Sequence, residues 1–162
     1  RIPRSIEGLV PIMTTLKIPT KRLCEQAVVP KNAYEGDAGY DLCATQNITL
    51  KPFERCLIPT GLAVQIPEGY AGFVLPRSGL ALKQGLSLVN APGLIDSNYR
   101  GELKAIAINL DPQNNIELHI GDRIAQLVIM KVENIHFDEV NELDRSDRGE
   151  GGFGSSGVSH TI

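Results

Sequence analysis

Tryptophan is absent from the sequence, and aromatic residues fill only 5% of its 162 positions. Any core must therefore be packed from aliphatic side chains, for which a hydrophobic fraction of 42% suffices. No uninterrupted apolar run approaches the roughly 18 residues of a membrane-spanning helix. No stretch has the charged, apolar and small-residue parts of a secretory signal, so no membrane partner is expected. The three cysteines, Cys24, Cys43 and Cys56, lack CxxC spacing. An odd set of scattered thiols predicts a reduced, cytoplasmic protein, with a nuclear or organellar location as the alternative in a eukaryote. The histidines, His119, His136 and His160, show no HExxH or similar spacing, which argues against zinc. Cationic excess is missing too. The net charge of −3 argues against a sequence-blind nucleic-acid binder, which normally shows a basic face. A polyanionic small ligand stays compatible, provided that cations gather locally.

Glycine and proline are plentiful, at 16 and 10 residues, which predicts many turns and few long helices. The dominant pattern has period two. Leu62, Val64 and Ile66 share one face. Lys104, Ile106, Ile108 and Leu110 alternate with Leu103, Ala105, Ala107 and Asn109. Ile116, Leu118 and Ile120 alternate with Glu117 and His119. Such alternation marks half-buried strands, and the turn-forming stretches KPFE, PEG, NAPG, DPQNN and IGD separate them. Several short strands at that spacing predict an all-β sandwich or barrel. RSGLALKQG (77–85) is the exception: it predicts a turn or two of helix, with Ser78 as N-cap and Gly85 at the close. IAQLVIM (124–130) predicts a strand buried on both faces. Residues 1–12, ahead of Met13, are expected to be an expression-derived or disordered leader. Residues 13–137 form the predicted β core. Residues 138–162 join a polar linker to a glycine-rich terminal segment.

Five stretches carry candidate chemistry, and each also has a purely structural explanation. DAGYDL (37–42) holds two carboxylates, which a strand would place on one face. One of them could serve a hard cation such as Mg²⁺, or both acids could cap turns. PRSGLALK (76–83) sets Arg77, Ser78 and Gly79 at a helix start, where free N–H groups attract anions. Helix starts with a nearby arginine are common. NAPGLIDSNYRGELK (90–104) suits a tight β-hairpin bearing Asp96 and Tyr99. Asp96 could be a general base, or Asp96, Ser97 and Asn98 could simply make the turn. In GDRIAQLVI (121–129), Asp122 and Arg123 are expected to fix the turn as an ion pair. Gln126 needs a partner, a ligand or a nearby backbone group, because a buried unpaired amide costs about 1–3 kcal/mol. RGEGGFGSSG (148–157) is either a flexible linker or an anion-binding loop equipped with Arg148 and Phe153.

In this order, the five stretches closely resemble the five motifs of the homotrimeric dUTP diphosphatase (dUTPase) family, over about residues 14–157. The resemblance implies a distorted jelly roll, a homotrimer with shared active sites, and Mg²⁺-assisted hydrolysis of dUTP to dUMP and pyrophosphate. That activity would limit uracil incorporation into DNA and supply dUMP for thymidylate synthesis. Asp96 would be the base that activates water against the α-phosphorus. Tyr99 would pack on the deoxyribose and exclude a 2′-hydroxyl, and Asn90 would read the uracil edge. Arg77, Ser78, Gly79 and Gln126 would hold phosphates, and Asp41 would hold a water of the Mg²⁺ shell. Gly93, Ile95 and Lys104 would be further substrate-binding positions. The terminal segment would close as a lid, with Phe153 on the uracil. Arg148, Gly154, Ser155, Ser156 and Gly157 would take the outer phosphates. dCTP deaminases share this fold and nucleotide site, but the 90–99 segment and the Phe-bearing tail fit the dUTPase side better.

Overall fold

A computed structural model of the chain describes residues 15–153 and Ser155. Ten strands and one short helix follow in order: β1 (Thr20–Arg22), β2 (Tyr40–Cys43), β3 (Ile48–Leu50), β4 (Arg55–Val64), β5 (Tyr70–Leu75), α1 (Ser78–Gln84), β6 (Leu86–Leu88), β7 (Gly93–Ile95), β8 (Glu102–Asn109), β9 (Ile116–Leu118) and β10 (Arg123–Lys131). They pair into sheets ordered β1-β4-β8-β6, β2-β10-β5-β7 and β3-β9, antiparallel throughout. Most neighbours within the sheets are distant in sequence, as a jelly roll requires. The expected all-β architecture is the one found.

The sheets close on one aliphatic core, with Leu42, Leu50, Ile58, Leu62, Leu103 and Ile124 almost wholly buried. Leu62, Val64 and Ile66 all face it, as their spacing predicts. In β8 the smaller set turns inward: Leu103, Ala105, Ala107 and Asn109 are buried, while Ile106 is partly exposed opposite Leu57. This strand lies between β4 and β6. Asn109 is fully buried yet satisfied. Its amide donates to the carbonyls of Leu50 (3.0 Å) and Asn114 (2.8 Å), and its oxygen accepts from the Asp111 N–H (2.8 Å). Thr60, equally buried, donates to the Leu103 carbonyl at 2.6 Å.

Three local expectations are corrected. First, the helix begins at Ser78, so the N-cap position belongs to Arg77, in extended conformation and without a side-chain cap. Gly85 does end it, with φ 71° and its N–H turned back to the carbonyls of Ala81 and Leu80. Second, β10 is buried only in its first half. Ile124, Ala125 and Leu127 are inside, whereas Met130 is 52% exposed. A run of apolar residues reports average hydrophobicity, and it cannot say where the covering sheet ends. Third, the 90–104 stretch forms no hairpin ladder: β7 pairs with β5, and β8 pairs with β4 and β6. Residues 96–101 instead carry the chain from one sheet to the other, through a turn closed by the Tyr99 N–H on the Asp96 carbonyl (3.1 Å).

Candidate active site

Two oppositely charged side chains anchor one end of the β2-β10-β5-β7 sheet. Arg77 leaves the end of β5 just before α1, and its Nε lies 2.8 Å from Asp41 Oδ1 on β2. Gln126 stands directly across from Asp41 in the β2–β10 ladder. Its amide donates to the Pro76 carbonyl at 2.9 Å, which supplies the backbone partner its position in an apolar run demands. Gly39 makes this geometry available, because a Cβ there would collide with Gln126 Oε1. Asp41, Arg77, Ser78, Gly79 and Gln126 thus line a single pocket of about 430 Å³, which Asp37 and Gly39 also border.

Asp37 and Asp41 do not share a strand, because β2 begins only at Tyr40. Asp37 caps its own loop, accepting the Tyr34 N–H at 2.9 Å. Nor do Asp122 and Arg123 pair. Asp122 accepts the His119 N–H at 2.7 Å, whereas Arg123 reaches across to Asp41, with Nη1 3.4 Å from Oδ2. Burial pushes the nearby Cys43 thiol above its usual range, with the Asp41 charge adding to the effect.

Asp96 lies elsewhere on the chain. It sits just past β7 in a second pocket of about 750 Å³, lined also by Ser97, Asn98 and Arg100. Its carboxylate has no hydrogen-bond or ion-pair partner among the described residues. The Tyr99 hydroxyl donates to the Glu102 carbonyl at 3.0 Å. The ring folds so closely over Gly101 that any Cβ there would strike it. Arg100 braces the same turn through the carbonyls of Ser97 (2.7 Å) and Tyr99 (2.9 Å). Asn90 is exposed beside buried Gly93, with its side-chain nitrogen 3.3 Å from where a Gly93 Cβ would stand, and Ile95 is half-buried. Lys104 borders a third pocket, its Nζ 3.4 Å from Glu102.

The end of the chain keeps to itself. Arg148 Nε donates to the Gly151 carbonyl at 2.6 Å, and Phe153 is fully exposed at φ 50°. Among the described residues, no hydrogen bond or ion pair ties residues 133–155 to the β core. Ser155 is exposed; Gly154, Ser156 and Gly157 lie outside the described residues. One chain therefore assembles Asp41, Arg77, Ser78, Gly79 and Gln126. It leaves Asp96, Lys104 and the terminal segment in other places. Gly39 and Arg123 join the first group without having been singled out for it by sequence.

Residues 25–157 match the dUTPase family model. The chain belongs to the dUTPase family. It is 54% identical over 147 residues to the deoxyuridine 5′-triphosphate nucleotidohydrolase of Rhodococcus erythropolis, covering 91% of this chain and 89% of that protein. Against the enzyme of the same name from Thermobifida fusca it is 48% identical over 152 residues, covering 94% and 85%. Among solved structures, the Staphylococcus bacteriophage 80alpha dUTPase with dUpNHpp has a TM-score of 0.82 at 33% identity, over 89% of this chain and 100% of that one. A dUTPase from phage phi11 of S. aureus, described with a structural Mg(II) ion, has a TM-score of 0.73 at 28% identity, over 78% and 98%. The protein is a dUTP diphosphatase, a hydrolase acting on dUTP.

Magnesium can be tested against the donor set. No group of three or more His, Cys, Asp or Glu among the described residues could cage a metal. Mg²⁺ keeps several waters and takes substrate phosphates with one or two carboxylates. A single half-buried carboxylate, Asp41, paired with Arg77 at the pocket fits a metal that is touched through water rather than caged by the protein.

Proposed function

We propose that the pocket lined by Asp41, Arg77, Ser78, Gly79 and Gln126 receives the phosphate chain of dUTP, and that Asp96 activates the attacking water. The convergence of Arg77, Ser78, Gly79 and Gln126 on one pocket is the observation that carries this reading. The Arg77 guanidinium suits paired phosphate oxygens. A Cβ on Gly79 would meet nothing in the chain, so packing does not require glycine there; its bareness leaves space for a close-lying phosphate. Asp41 would hold a water of the Mg²⁺ shell, and Mg²⁺ would supply charge neutralisation and orientation of the phosphates.

In the reaction, the carboxylate of Asp96 takes a proton from water while the water oxygen bonds to the α-phosphorus. The bond from that phosphorus to its bridging oxygen breaks, releasing pyrophosphate and leaving dUMP. Tyr99 packs on the deoxyribose, where a 2′-hydroxyl would not fit. Asn90, Gly93 and Ile95 frame the uracil, and Lys104 adds a cation. Phe153 covers the base as the terminal segment closes, with Arg148, Gly154, Ser155, Ser156 and Gly157 on the outer phosphates. Since one chain holds Asp96 and the phosphate pocket apart, the working site is completed between subunits of a homotrimer.

Asp96→Asn keeps the shape and removes the base. It is expected to bind dUTP while pyrophosphate release falls by about 10²–10⁴-fold. Unchanged turnover would remove Asp96 from this role. Ammonia release from dCTP by the unaltered protein would contradict the chemistry as a whole.

A further inference from the structure

Arg123 belongs to none of the roles assigned so far, yet the fold makes a special provision for it. Side chains alternate along a regular strand, so Arg123 and Ala125 should share a face. Ala125 is in the core. The β2–β10 register shifts between Arg123 and Ala125, and the bulge turns both Ile124 and Ala125 inward. Arg123 is thereby sent to the outer face, where Gln126 stands opposite Asp41. There its Nη1 lies 3.4 Å from Asp41 Oδ2, while Arg77 Nε holds Oδ1 at 2.8 Å. The Arg123 carbonyl also accepts from Arg77 Nη1 at 3.4 Å. One residue therefore touches both members of the pair, Asp41 through its side chain and Arg77 through its backbone.

Two consequences follow for an anion entering this pocket. Arg77 and Arg123 together balance Asp41 and the bordering Asp37; without the Arg123 side chain the pocket would carry a net negative charge. Moreover, a carboxylate with two free oxygens favours a bidentate clasp on arginine. Arg123 engages one oxygen and so limits Asp41 to a single contact with Arg77. With Nε on Asp41 and Nη1 on the Arg123 carbonyl, Arg77 Nη2 has no protein partner among the described residues.

We propose that Arg123 is a positioning residue, which shares the Asp41 carboxylate so that the Arg77 charge is not fully offset and its guanidinium is held at the pocket. The proposal rests on the pocket being the phosphate subsite. The Arg123 side chain is 56% exposed, so solvent and salt screen its pull and the effect is moderate.

The test measures kcat and KM for dUTP at low and high ionic strength, with a melting curve for every variant. Arg123→Gln is expected to raise KM about five- to tenfold at low salt, with kcat within about twofold. Arg123→Lys should recover most of that loss, and the KM gap should narrow at high salt. Any one of three results overturns the proposal: an unchanged KM in Arg123→Gln, a loss confined to kcat, or a lysine variant as impaired as the glutamine one. Arg77→Gln separates this inference from the reading beneath it. If Arg77→Gln leaves KM unchanged, the phosphate subsite itself is wrong. If it raises KM while Arg123→Gln does nothing, only the role of Arg123 fails.

Discussion

Gly39 shows how little a residue need do to shape a site. It contributes no functional group, and its part is to leave a gap in which the Gln126 amide lies while donating to the Pro76 carbonyl. Gly39→Ala must displace that amide. The expected outcome is a KM for dUTP raised about tenfold, as for loss of one buried hydrogen bond, with little change in thermal stability. A variant with unaltered KM would mean that the amide has no part in holding substrate. Sequence exposed some of these residue roles and hid others. Gln126 announced a need for a partner because it interrupts an apolar run. Arg123 followed a turn beside Asp122, and local pairing was the natural expectation. Its actual partner, Asp41, is distant in sequence, and the bulge that aims it leaves no mark on hydrophobic periodicity. Asp37 and Asp41 looked equivalent by spacing, yet one lies in a loop and the other in a strand.

Elements are set mainly by punctuation. The helix α1 ends at Gly85, for two separate physical reasons. Its φ of 71° is disfavoured for other residues, and a Cβ would come within 2.9 Å of the Asp111 nitrogen. The left-handed conformation alone costs an L-residue about 1–2 kcal/mol. Gly85→Ala should therefore lower Tm by roughly 5 °C in a calorimetric scan. An unchanged Tm would show that the turn relaxes freely. β4 is punctuated as well: its register with β8 shifts between Pro59 and Ala63, around Gly61 at φ 66°. Strand existence was legible from alternation at Leu62, Val64 and Ile66, and the helix from Ser78 and Gly85. Strand partnership was not. The apolar pattern around 90–104 fits a local hairpin equally well, and only the pairing of β7 with β5 shows that the segment bridges two sheets. Which alternating face of β8 turns inward was equally hidden, since both faces are largely aliphatic.

For the whole molecule, the feature that matters most is separation. The pocket proposed for phosphate, the Asp96 pocket and the terminal segment occupy different parts of one chain. The segment beyond β10 also carries exposed apolar side chains, including Phe137, Leu143 and Phe153, with no covering from the described core. Removing residues 148–162 is expected to leave a cooperative melting transition near that of the full chain, while kcat/KM for dUTP falls by about 10²-fold or more, since those residues would touch only the bound nucleotide. Full activity in the truncated protein would return the segment to the role of a linker.

The division of the site between chains can be tested by complementation. Asp96→Asn and Arg77→Gln, each assayed alone for pyrophosphate release from dUTP, should be strongly impaired. Refolded together at equal amounts, they should regain roughly a quarter of unaltered activity, because random assembly pairs an intact Arg77 from one chain with an intact Asp96 from another. A mixture no more active than its two parents would contradict a site built across subunits from these residues.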